Sequence, residues 1–241
     1  MKILGLDSSG LVAGVALVED DVLVAEYATN YKKTHSQTLL PMLDELRRMV
    51  ELDLDSLDAI AVASGPGSFT GLRIGSATAK GLGMALGKPL VEVPTLEGLA
   101  WNLCLWEGAV CPLMDARRGQ VYGAAYEFRP GEELLPRELI PQMPVEIGEL
   151  LERVNDLGKS VVFLGDGAAV YRDVIREKCR VRHCFAPSGS SRQRAASVAG
   201  LGALYFAQGR TVSAASHRPE YLRKSQAEQQ AQRAADCRGE S

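Results

Sequence analysis

The chain has 241 residues, 46% apolar and 24% charged, enough for one large domain or two smaller lobes with their own cores. Its 27 Lys and Arg against 30 Asp and Glu leave a net charge of −3. A protein that grips nucleic acid unaided carries a basic surplus to neutralise phosphates, so this balance argues against nucleic acid as the chain's private ligand.

Ile3 to Asp7 reads as a short buried strand, and its carboxylate comes too early for the apolar region of a secretory leader. The turn residues Ser8-Ser9-Gly10 follow, then strands over Leu11–Val18 and Val22–Thr29 joined by the acidic turn Glu19-Asp20-Asp21. From Ser36 to Val50 the period becomes helical, with Leu39, Leu43, Leu46 and Val50 at three- and four-residue steps. Thr34 or Ser36 can cap this helix, and Pro41 is tolerable only near its first turn. A strand over Asp58–Ala63 leads to a helix over Leu72–Leu86, stopped by Gly87 with Pro89 beyond. Pro94-Thr95 opens a third helix, expected to reach Trp106.

The second half repeats the theme. Strands are expected at Val110–Met114, Gln120–Glu127 and Glu138–Pro141, then a helix over Val145–Val154. A strand at Val161–Leu164 precedes the Gly165-Asp166-Gly167 turn and a further helix, and Ala195–Ala207 is the last helix. No stretch is long and apolar enough for a membrane-spanning helix, and the five cysteines (Cys104, Cys111, Cys179, Cys184, Cys237) form no C-x-x-C pair. A reducing, cytoplasmic setting is expected. Two α/β lobes follow: 1–108 with 195–223 packing back on it, and a reduced lobe over 109–194. Residues 224–241 are Gln-, Ala- and Arg-rich and are expected to be disordered.

Three features carry candidate chemistry. Asp7-Ser8-Ser9-Gly10 has the composition of a phosphate-binding turn and equally that of a plain hairpin turn. Gly65-Pro66-Gly67-Ser68-Phe69-Thr70-Gly71 lies between a strand and a helix, as phosphate loops do. It lacks the Gly-Lys-Ser/Thr of a Walker loop, and Thr70 stands where a dinucleotide fingerprint needs its third glycine. The helix after it carries Gly71, Gly75, Ala79, Gly83 and Gly87 at every fourth position. Each interior glycine costs a helix about 1 kcal/mol relative to alanine, so the series marks a place where another backbone comes very close. That neighbour is either the chain's own fold or a partner. Asp115 and Arg117, between two strands, fit a ligand or a turn salt bridge. His35, His183 and His217 lie far apart on unrelated segments with no metal-binding spacing.

Taken with Thr34-His35-Ser36-Gln37, Met114-Asp115-Ala116-Arg117 and Pro219-Glu220-Tyr221-Leu222-Arg223, these motifs resemble, in order and spacing, the TsaB (YeaZ) family of bacterial tRNA threonylcarbamoyladenosine biosynthesis. The resemblance runs to about Arg223 and implies an α/β, actin-like ATPase (ASKHA, ribonuclease H-like) fold of two lobes, each a mixed sheet with flanking helices. It also implies kinship with TsaD, whose His-Leu-Glu-Gly-His motif binds a catalytic metal. Here the corresponding positions read Thr95-Leu96-Glu97-Gly98-Leu99, so both imidazoles are missing. The implied role is a non-catalytic, metal-free scaffold without a cofactor of its own, a weak ATP or ADP contact within the complex being left open. Its partners would be TsaD directly and TsaE in a ternary complex, with a homodimer when alone and tRNA met only through the complex. The docking surface is expected at Leu39, Leu43, Leu46, Leu72, Gly75, Ala79, Leu82 and Gly83. A vestigial nucleotide contact is expected at Asp7, Ser8, Ser9, Gly165 and Gly167. An actin-like ATPase or kinase, or a metallopeptidase-like enzyme, is the alternative.

Overall fold

Two short buried strands and an exposed edge strand begin the first of two five-stranded sheets. The structure, a computed structural model, describes residues 1–31, 34–129, 131 and 134–222. Arg223, Cys237 and the tail 224–241 lie outside the described residues.

The first sheet has β1 (Lys2–Asp7), β2 (Ala13–Glu19), β3 (Val22–Thr29), β4 (Ala59–Gly65) and β5 (Leu90–Pro94) in the order β3-β2-β1-β4-β5. β1, β2 and β3 form an antiparallel meander, while β4 and β5 run parallel to β1. Asp20 and Asp21 make the β2–β3 turn in left-handed conformations, which short Asx side chains tolerate. The second sheet repeats the scheme with β6 (Ala109–Arg117), β7 (Gln120–Glu127), β8 (Arg137–Glu146), β9 (Val161–Leu164) and β10 (His183–Phe185). Its order β10-β9-β6-β7-β8 again places a meander beside two parallel strands.

Helices cover both sheets. α1 (His35–Met49) and α2 (Phe69–Leu86) bury Leu39, Leu43, Leu46 and Ala79 on one face of the first sheet, against Leu4, Leu6, Ile60 and Val62. α3 (Thr95–Trp101) lies between the sheets, its Leu96 and Leu99 packed against Val110, Met114, Val162 and Leu164 of the second. α4 (Ile147–Asp156), α5 (Asp166–Val170) and α6 (Arg172–Lys178) flank the second sheet. α7 (Ala195–Ala207) returns to the first, where Val198, Ala199 and Leu201 meet Ile3, Ala16, Ala61 and Val93. Among the described residues no helix is long and apolar enough to cross a membrane.

Several boundaries differ from the sequence reading. Pro41 sits in the second turn of α1, on its exposed side, where losing one helix hydrogen bond is least costly. Thr34 holds the N-cap position, but its hydroxyl meets Ser36 and not the helix amides. α3 stops at Trp101, five residues before the expected end. β8 runs from Arg137 to Glu146 despite Pro141 and Pro144; it is an edge strand, where missing N–H groups break no inner ladder. β5 and β10 were not visible in the sequence. One is a short segment boxed between prolines and broken by Glu92, the other a three-residue segment with no clear alternation.

Candidate functional site

Asp7 ends β1, where a parallel strand delivers its C-terminal residues to the space between the lobes. Its side chain is 3% exposed, and its Oδ1 accepts hydrogen bonds from the Ser9 N–H (2.8 Å) and hydroxyl (2.6 Å). Burial pushes the Asp7 carboxyl above the ordinary carboxylate range, and the two Ser9 bonds oppose that only in part. The turn is bolted to the start of α2. Ser8 Oγ donates to the Gly71 carbonyl (2.8 Å), and the Ser68 N–H donates to the Ser9 carbonyl (2.7 Å). A Cβ on Gly67 or Gly71 would run into the carbonyls of Ser9 and Ser8, so only glycine permits this approach. Ser8 and Ser9 are buried, and His35 Nε2 lies 2.8 Å from the Gly10 carbonyl. The two serine hydroxyls and the Ser9 N–H, donors a phosphate could use, are already engaged within the chain.

The corresponding turn of the second sheet is closed in a similar way. Gly165, at φ 97°, and Gly167 press against the Leu113 backbone, where a Cβ on either would meet that chain. The Gly165 N–H donates to the Ser191 carbonyl at 2.9 Å. Asp166 accepts from the Asp115 N–H (3.3 Å), and burial raises the Asp166 carboxyl above its ordinary range. Asp115 in turn accepts from the main-chain N–H of Arg117 at 2.8 Å, a turn-closing bond that makes it a structural residue of the β6–β7 hairpin. Gln193, 2% exposed, packs on Gly10 with both amide atoms unpartnered among the described residues. Sequence reading missed it, because it stands in a polar stretch that looks like an ordinary loop.

Thr95, Glu97 and Leu99 lie on the short helix α3. Thr95 is 1% exposed, and its hydroxyl accepts from the Gly65 N–H at 3.2 Å. Leu99 belongs to the apolar core between the lobes. Glu97 accepts a hydrogen bond from the Tyr205 hydroxyl, whose ring carries the Arg210 guanidinium 3.5 Å above its centre. Burial raises the Glu97 carboxyl, and Tyr205 and Arg210 pull it back. Among the described residues no group of three His, Cys, Asp or Glu side chains could hold a metal ion.

The expected docking residues need correction. Leu39, Leu43, Leu46, Leu72, Gly75, Ala79 and Gly83 are buried inside the first lobe, and Leu82 is half-buried against the same core. The four-residue series does mark a close approach, but to the chain's own loops. A Cβ on Gly75 would lie 2.5 Å from Ser8 Oγ, and one on Gly83 would lie 3.0 Å from Ala214 and Leu90 side-chain atoms. Ser76 on the same helix is buried as well. The open side of α2 carries a second series of small residues, Ala77, Gly81 and Ala85, flanked by exposed Arg73 and Met84. Nothing lies within 4 Å of the place a Gly81 Cβ would take, and Leu40 is exposed on the adjoining α1.

The geometry has close counterparts. A family model described as TsaD, tRNA N6-adenosine threonylcarbamoyltransferase, matches residues 23–231. The chain is 33% identical to the tRNA threonylcarbamoyladenosine biosynthesis protein TsaB of Bacillus subtilis, over 95% of this chain and 96% of that one. With the Escherichia coli protein of the same name it shares 30% identity, over 92% and 95%. The solved structure of YeaZ from Pseudomonas aeruginosa superimposes with a TM-score of 0.75 at 26% identity, covering 92% of this chain and 99% of that one. A polyphosphate/ATP-glucomannokinase from Arthrobacter matches at TM-score 0.50 and 12% identity, over 86% and 99%, a likeness of fold alone. The two sheets with flanking helices are thus the actin-like ATPase fold.

Proposed function

Because the chain belongs to the TsaB (YeaZ) family of tRNA threonylcarbamoyladenosine biosynthesis proteins, we propose that it serves this modification as a non-catalytic subunit that docks a TsaD-type threonylcarbamoyltransferase. The observation that carries the reading is the closure of the β1 turn. The Ser8 hydroxyl donates to Gly71 and the Ser9 hydroxyl and N–H donate to Asp7, where a working ATPase would keep such donors for phosphate. Thr95 and Leu99, at positions where TsaD-like proteins carry metal-binding histidines, are committed to internal packing. One hydroxyl, one carboxylate and no imidazole in Thr95-Leu96-Glu97-Gly98-Leu99 would make a poor site for a catalytic transition metal.

The docking face is the open side of α2, Ala77, Gly81 and Ala85, with Leu40 of α1 beside it. Small side chains there let a partner helix approach closely, and the apolar rim of Met84 and Leu40 supplies area to bury. TsaD is the occupant, TsaE joins the assembled pair in the cytoplasm, and copies of this chain alone pair through the same face. tRNA meets the chain only within the complex. The test is size-exclusion chromatography with untagged TsaD from the same organism. Wild type co-elutes, whereas Ala77→Arg and Gly81→Arg stay folded by circular dichroism and elute apart. Failure of wild type to bind TsaD overturns the reading, as does ATPase activity of the isolated chain that Asp7→Ala abolishes.

A further inference from the structure

Residues 212–221 return across the first lobe as a strap. Val212 bridges to Leu90 of β5, and Lys80 of α2 holds the carbonyls of Ala215 and His217 at 3.3 and 3.2 Å. His217, 1% exposed, places its Nδ1 2.6 Å from Glu92. The strap then crosses the loop that starts α2. The Glu220 N–H donates to the Ser64 carbonyl at 2.7 Å, and the Glu220 carbonyl fills the space over Gly65, which holds φ 127°. Any other residue at 65 would collide with it. Tyr221 lies on Phe69, ring centres 5.0 Å apart, and its hydroxyl accepts from Arg73 Nε at 3.4 Å. Arg73 completes the cluster, its guanidinium 4.1 Å from the Phe69 ring centre.

One side chain of this strap leaves the first lobe. Glu220 Oε2 accepts a hydrogen bond from Gln142 Nε2 at 2.9 Å, and Gln142 stands on β8, the far edge of the second sheet. Adjacent residues of one strap therefore grip two different things. Tyr221 holds the first turn of α2, and Glu220 holds the other lobe.

We propose that this strap is a clasp that couples the docking face on α2 to the second lobe through β8. It rests on the reading of α2 as the docking face, and it names what that docking regulates. A partner that shifts or stiffens the Phe69–Arg73 turn acts on Tyr221, hence on Glu220, and hence on the Glu220–Gln142 bond. The clasp is a two-state element, bonded or released, of the kind that energetic coupling between sites requires.

The test uses amide hydrogen exchange in β8, whereas the hydrogen bond and ring contact of Tyr221 are with Arg73 and Phe69. In the isolated protein, Tyr221→Ala speeds exchange in residues 138–146 by about fivefold, the worth of one ordinary hydrogen bond. Gln142→Ala does the same, and the double variant exchanges no faster than either single one, as expected of one pathway. Unchanged β8 exchange in a folded Tyr221→Ala protein, or effects of the two substitutions that simply add, overturns the clasp. Adding TsaD slows β8 exchange in wild type and not in Gln142→Ala; bound TsaD that slows both alike also overturns it. Failure of the docking reading shows separately, as wild type that forms no complex while Tyr221→Ala still loosens β8.

Discussion

Gly71→Ala and Gly81→Ala make the same chemical change on one helix and should have opposite effects. A Cβ at position 71 would lie 2.1 Å from the Ser8 carbonyl oxygen, a backbone atom that cannot rotate away. Relieving that overlap means pushing the β1 turn off α2, with loss of the buried Ser8–Gly71 bond and strain on the Ser68–Ser9 bond. Overpacking of this kind costs about 1–3 kcal/mol, and an unsatisfied buried hydroxyl adds about 1–3 kcal/mol. Against these stands a helix-propensity gain of about 1 kcal/mol. The net expectation for Gly71→Ala is a loss of about 1–5 kcal/mol, centred near 3, or roughly 6–12 °C in Tm at that centre for a chain of this size. At position 81 the space is open, so only the propensity gain remains, and the isolated protein should be stabilised by about 0.5–1 kcal/mol. Urea denaturation of the two variants beside wild type measures both. If Gly71→Ala unfolds at the wild-type midpoint, the β1 turn is not packed on α2 as described, and the argument that it is closed to phosphate falls with it.

Ala79→Arg should fail to fold or lose most of its stability, because Ala79 is fully buried; soluble, native-like Ala79→Arg by circular dichroism would contradict the placement of α2. Asp7→Asn tests pH linkage. The folded Asp7 carboxyl keeps its proton to higher pH than the unfolded one near 3.8, so its contribution is fullest below 3.8 and is lost as pH rises through the raised value. Wild type should therefore lose stability relative to Asp7→Asn between pH 4 and pH 7, and equal urea-midpoint differences at the two pH values would refute this. Elemental analysis of tag-free protein should find no stoichiometric zinc or iron; either metal at one equivalent would overturn the metal-free reading of α3.

The order of strands and helices could be read from the sequence because hydrophobic period changes at each junction, as between Thr29 and Leu39. The fold itself came from motifs at strand ends, where Asp7 and Gly65 mark turns that only particular residues can make. The direction of the glycine series could not be read. Spacing says that something approaches α2 closely, but Gly75 facing Ser8 and Gly81 facing open space differ only in rotation about the helix. A sequence cannot assign that rotation when both sides carry small or apolar residues. The strap was legible only coarsely, as part of 195–223 packing back on the first lobe, and not in what it covers. Pro219 to Tyr221 looks like a tail motif until Gly65, about 150 positions earlier, is seen to need φ 127° beneath it.

The return of α7 to the first sheet has a consequence for synthesis. The apolar face formed by Ile3, Ala16, Ala61 and Val93 has no cover until Val198, Ala199 and Leu201 have been made. The second sheet, by contrast, draws its strands from residues 109–185, all encoded before α7. The amino-terminal half therefore stays partly open until after the second lobe has been made. A stalled or truncated chain ending before Ala195 would present a bare sheet face, the sort of surface that chaperones hold and proteases find. Order of birth and order of completion run in opposite directions in this molecule.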